Sequence, residues 1–266
     1  MQKLLLLLFF TCAASSTLFA QKTWTGASDT NWTTDDNWAP WGVPTSTDSI
    51  TIPAGTINSP IIPAGPDVEF LKITIDSGAS LTVEANAYVV SSASPYHSLS
   101  VYGKLTNYGI IVATNDWPGD EPYASAVEIR NGVVDNYGTL AARGAINIGI
   151  MVFSGDLNNF PGGLVYADNS IGMFVFPDGT VKNESGSEIQ IKGVSAGIII
   201  AGNFTNAGKI TCEGDVKTFD VKTENLACAS FTIQGSLEVE GNTTQGFENA
   251  GLTVITETLT LQEGFL

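Results

Sequence analysis

The chain of 266 residues is poor in the side chains on which most catalytic and nucleic-acid-binding sites are built. It has one histidine, His97, and two arginines, Arg130 and Arg143. A single histidine leaves little material for a Ser-His-Asp triad or a zinc centre. Basic residues number 11 against 27 acidic ones, for a formal net charge of −16. A field of that sign repels phosphate backbones, so nucleic acid is excluded as a partner. Past the N-terminus no run approaches the roughly 20 apolar residues of a membrane-spanning helix, so no transmembrane segment is expected. No segment holds a helical period beyond two turns. What the chain does have is 43% hydrophobic residues and 28 glycines. That is enough apolar material for a core, and it excludes bulk disorder.

Residues 1–20 have the layout of a signal peptide. Lys3 supplies a basic start, Leu4 to Phe10 an unbroken apolar run, and Ala20 a small residue for cleavage before Gln21. Removing this segment takes Cys12 with it and leaves Cys212 and Cys228 in an oxidising compartment. The two are disulfide candidates, although spacing alone does not establish that their Cα atoms come close enough.

Repetition is the strongest signal in the sequence. Gly103-Lys104-Leu105-Thr106-Asn107-Tyr108-Gly109 recurs around Asn136, Asn159, Asn183 and Asn206, and in degenerate form around Asn249. Successive intervals are 29, 23, 24, 23 and 43 residues, and the last spans about two turns with one marker skipped. Each unit holds short strand-like runs separated by Gly or Asn, which tolerate sharp corners. Three short strands per turn of about 23 residues predicts a right-handed, single-stranded parallel β-helix. Its turns would stack at roughly 4.8 Å, and residues 68–266 have room for about eight or nine of them. The repeated asparagines would then form a structural ladder at one corner, and Leu105, Val134, Leu157, Val181 and Phe204 would face inward in register. A β-sandwich is the competing fold.

Trp24, Trp32, Trp38 and Trp41 cluster ahead of the repeats. An open β-helix end exposes strand edges and core, so large aromatics there suit a cap over residues 21–67. Stacking on sugar rings is the other use of such tryptophans. The stretches Thr23-Trp24-Thr25-Gly26, Asn31-Trp32, Asp36-Asn37-Trp38, Gly42-Val43-Pro44 and Asp48 to Pro53 resemble the N-terminal module of large secreted Bacteroidetes surface proteins. That resemblance covers residues 23–83 and, more loosely, the repeats. It implies an adhesin-like, cell-surface or secreted protein. Relatives of this kind often end in a type IX secretion sorting domain, whereas this chain stops at Gly264-Phe265-Leu266 without one.

The 29-residue interval carries extra residues around 116–123. Asp116, Trp117, Asp120, Glu121 and Tyr123 are therefore the candidate ligand-binding residues, for Ca²⁺ or a saccharide, because projecting loops carry binding chemistry on solenoids. A solvated acidic loop is the plainer reading, since no calcium-loop motif is matched. No other cofactor, no metal site and no catalytic residue is expected. The functional expectation is an exported, adhesin-like or structural module without catalysis, whose partners are carbohydrate or a surface protein. The alternative is a carbohydrate-active β-helix enzyme, a polysaccharide lyase or glycosidase. Acids clustered with Arg130 or Arg143 in one groove would favour that alternative. The alternation from Leu252 to Leu261 continues to the end without a polar cover. A truncated longer protein or self-association through the final turn is expected, against a last turn that folds over its own core.

Overall fold

The structure, a computed structural model, describes residues 20–92, 97–116, 123–144, 148–219, 221–241 and 246–263. Residues 1–19, where a signal peptide is expected, and the candidate residues Trp117, Asp120 and Glu121 lie outside them. Short runs that alternate one apolar and one polar residue can bury only one face. Here they do so by stacking edge to edge around a shared interior. Nearly all pairings are parallel, and they wind the chain into a β-solenoid of about eight turns. Among the described residues no helix is long and apolar enough to cross a membrane.

Each turn has three walls. The first runs from Ala20–Trp24 through Asp48–Ile52, Lys72–Ile75 and His97–Val101 to Leu259–Glu263. The second includes Ser80–Val83, Lys104–Asn107 and Asn203–Asn206, and ends at Phe247–Asn249. The third includes Tyr88–Ser92, Ile110–Thr114 and Thr139–Arg143, and ends at Leu252–Ile255. Some strands bend through corners without losing their pairing. Leu164–Asn183, of 20 residues, contributes to all three walls.

The second wall fixes the period. Leu105, Val134, Leu157, Val181 and Phe204 are successive register partners, and all are buried. Two residues beyond each of them, and beyond Thr223 and Phe247 on the next two rungs, comes the ladder: Asn107, Asn136, Asn159, Asn183, Asn206, Asn225 and Asn249. Each Nδ2 donates to Oδ1 of the next asparagine at 2.7–2.8 Å. The same Nδ2 also donates to a backbone carbonyl at the start of the third wall, such as Glu188 O from Asn159 or Ser230 O from Asn206. Asn225 is the marker the sequence reading skipped. It sits 19 residues after Asn206, in the shortest turn of the ladder. A glycine two residues past the asparagine permits the corner: a Cβ on Gly138 would stand 2.1 Å from Gly109 O.

The aromatic cap is present. Trp24, Trp32 and Trp38 are buried, with Trp38 edge-on to both partners at 5.0 and 4.6 Å. Trp32 also meets Phe70 at 6.0 Å, which joins the cap to the solenoid interior. Indole N–H groups of Trp24 and Trp38 donate to Asn58 O and Trp32 O. Asn37 braces the loop by accepting from Ser28 N and Asp29 N and donating to Asp29 Oδ1 and Asn31 O. Emptying a site such as Trp38 would cost about 3–5 kcal/mol.

Two expectations change. Parallel stacking is in place before residue 68: Ala20–Trp24 pairs with Asp48–Ile52, whose Ile50 and Ile52 face inward on a rung paired with Ile73 and Ile75. Cap and solenoid therefore share residues 20–67. Cys212 and Cys228 are free thiols, not a disulfide. Cys212 points into the core in register with Ile191 and Ile233, whereas Cys228 is exposed on a corner at φ 69°. Burial pushes the Cys212 thiol up to about 12, with Asp215 and Glu213 adding to the shift.

At the far end Leu259 and Leu261 pair with Leu237 and Val239, yet they are 53% and 70% exposed. They line a groove of about 380 Å³ with Phe247 and Ile255. The ladder also ends there, at exposed Asn249.

The ladder makes a graded prediction. Asn159→Ala strips bonds to Asn183 and Glu188 and the acceptor for Asn136, which should destabilise the chain by about 3 kcal/mol or more. Asn249→Ala, at the exposed end, should cost less than about 1 kcal/mol. Urea unfolding of both variants checks this, and equal shifts in midpoint would refute it.

Candidate functional site

Arg130 is the arginine that the structure brings to an acid. The strand Ser125–Asn136 places Glu128 on the outer side of the first wall, in register with Ser100 below and Met151 above. An outward position on a β-solenoid normally meets water, yet Glu128 is 1% exposed. Its Oε1 contacts Arg130 Nη2 at 2.8 Å as an ion pair, without the alignment of a hydrogen bond. Tyr102 donates its hydroxyl to Oε2 at 3.1 Å, and His97 Nε2 stands 3.5 Å from the same oxygen. His97 Nδ1 meets Ser125 Oγ at 2.9 Å. The Arg130 guanidinium lies over the Phe153 ring, 4.2 Å from its centroid. Phe153 in turn packs on Phe176, and Phe176 on Phe174.

Burial dominates the electrostatics of this group. It lowers the His97 pKa; Glu128 pulls the value back up, while Lys72 and Arg130 push it further down. Burial also raises the Tyr102 pKa, and Glu128 reinforces that shift. Ser100 Oγ and Arg130 Nε are buried without a hydrogen-bond partner. The cluster thus has a neutral imidazole, a phenol and one carboxylate–guanidinium pair packed into the wall. One carboxylate does not make the acid pair of a glycosidase.

The acidic-loop candidates are not united among the described residues. Asp116 ends one side of the loop, its Oδ1 close against Gly144. Tyr123, 58% exposed, sits on the other side and packs against Phe176 at 6.0 Å. Among the described residues no three His, Cys, Asp or Glu side chains gather as metal ligands. Arg143 lies away from the Glu128 cluster, over the Tyr166 ring at 5.8 Å and in register with Asp168.

A second aromatic feature follows the ladder. Tyr108, Tyr137 and Phe160 stack at 4.9 and 4.5 Å, nearly parallel at 18° and 5°. Their faces cover one another, so they present edges to water and offer no open platform between them.

A domain of unknown function (DUF8693) matches residues 23–94. The match takes in the tryptophan cap and the first stacked strands as one unit, a minority of the chain. No curated protein and no solved structure matches the sequence.

Sequence reasoning had Arg130 and His97 as isolated residues and missed Glu128 as their hub. Glu128 is 31 residues from His97, and an insertion between their rungs hides the register. The signal that could have found it is the parity of its strand, with Val127 and Ile129 apolar on either side.

The depressed His97 pKa has a definite sign. The unfolded chain binds the histidine proton more readily than the folded one. The contribution is therefore present above the ordinary value of 6.5 and lost as pH falls below it. Unfolding midpoints measured from pH 7.5 downward should drop more for the wild type than for His97→Gln. Parallel pH profiles would contradict this.

Proposed function

We propose that this chain is an exported cell-surface or secreted module, an adhesin-like structural β-solenoid without catalytic activity. The supporting observation is the engagement of Arg130 and His97 with Glu128 on the outer side of the first wall. Groups engaged in this way brace the rung and are tied up with one another instead of facing a substrate. Several outer charges pair across neighbouring turns: Lys192 with Glu213, Lys209 with Glu188 and Lys217 with Glu238. Each exposed pair contributes little by itself. Extended repetitive surfaces of this kind suit recognition over a wide area. The signal-peptide layout of residues 1–20 and the resemblance of residues 23–83 support export.

The second reading, a carbohydrate-active enzyme, draws on the meeting of His97, Tyr102, Glu128 and Arg130. The two readings separate in a reducing-end assay of the full chain against neutral and acidic polysaccharides between pH 5 and 8. No release is expected. Release that disappears in Glu128→Gln would overturn the non-catalytic reading.

A further inference from the structure

Three of the four clustered tryptophans are consumed by the cap; the fourth is held out of it. Trp41 is 71% exposed, and its turn is fixed at an unusual number of points. Lys22 Nζ donates to the carbonyls of Pro40, Trp41 and Gly42 at 2.9, 3.0 and 2.8 Å. Gly42 takes φ 102°, a left-handed value that a side chain would resist. Asp35 accepts from Gly42 N through its carbonyl and from Val43 N through Oδ1. The indole is locked as well, because Trp41 Nε1 donates to Asp36 Oδ1 at 2.9 Å.

We infer that exposed Trp41, followed two residues along the chain by an acidic cleft that its side chain does not line, binds a neutral saccharide. The inference rests on the adhesin-like reading above and names its ligand class. The cleft, of about 290 Å³, begins two residues beyond Trp41, with Val43, Pro44 and Ser46 on one side and Asp67 and Glu69 on the other. Neither Asp67 nor Glu69 has a hydrogen-bond or ion-pair partner among the described residues. Trp32 lies in the lining, and its indole Nε1 is buried without an acceptor. A rigid indole keeps an apolar face ready at little further entropic cost, the condition under which exposed aromatics become binding hot spots. The complementary ligand carries apolar C–H groups on one face and hydroxyl donors around its rim. A pyranose has that distribution, with Asp36 at the edge of the indole as an acceptor and the cleft carboxylates Asp67 and Glu69 further along the chain. Acidic sugars are disfavoured by those same carboxylates and by the net charge of −16. A cation over the ring is disfavoured by the Lys22 ammonium already seated under the turn.

The test uses the full chain on an array of neutral gluco-, manno-, galacto- and xylo-oligosaccharides, with uronate oligomers and an oligolysine peptide as the other arms. Saturable binding of a neutral glycan is expected. It should weaken at least about tenfold in Trp41→Ala, less in Trp41→Phe, and with no change in unfolding midpoint. No neutral glycan bound, binding unchanged in Trp41→Ala, or Trp41-dependent binding of oligolysine alone would each overturn the inference. Mass spectrometry of the bound glycan keeps the two claims apart. Cleavage would overturn the non-catalytic reading, whereas the role of Trp41 is decided by its variants alone.

Discussion

A primary amide carries two donors and two acceptor positions, and in a dry interior each unmet one is costly. In this chain six such amides, from Asn107 to Asn225, are buried at one corner. Each donates to an identical group that the next turn supplies one strand spacing away. That condition ties the turns together. A slip of one residue would remove the acceptor and turn every inward side chain outward. The second donor of each amide reaches the first residue of the third wall, so the constraint passes from one wall to the next. The apolar column from Leu105 to Phe204 and the ion pairs between neighbouring turns follow from the register that the amides impose.

The two ends of the solenoid meet the constraint differently. Below Asn107 the ladder position is held by Val83 and then Ile62, and no amide is needed. Asn107 Oδ1 is satisfied locally by Gly109 N at 3.1 Å. The tryptophan cap closes that end with aromatic surface, braced by the hydrogen bonds of Asn37 and Trp24. At the last described rung the ladder instead reaches exposed Asn249, above a groove lined by Leu259 and Leu261. Polar chemistry thus sets the register of the middle, and apolar chemistry closes the beginning.

The period was legible because Asn, Gly and an aromatic recur together at Asn107, Asn136 and Asn159. Asn225 escaped notice because Leu226 and Ala227 replace the aromatic and the glycine, and its turn is shorter. The inward column was readable from alternation alone. The fate of the cysteines was not, because whether residue 228 lies in a strand or on a corner depends on how a shortened turn closes. The stacking ahead of residue 68 was hidden because those rungs lack the asparagine marker. Glu128 was hidden for a related reason: its neighbours His97 and Tyr102 sit on the rung below, across an insertion. Trp41 was grouped with its neighbours by spacing, and only the geometry of its turn separates it from the cap.

The central claim is that buried asparagine amides hold the turns in register. Hydrogen exchange of the side-chain amides, followed by NMR in isotopically labelled protein, tests it directly. The Nδ2 protons of Asn107, Asn136, Asn159, Asn183, Asn206 and Asn225 should exchange only with opening of the solenoid. Those of exposed asparagines such as Asn203 should exchange at once. Ladder amides that exchange as fast as exposed ones would contradict the account.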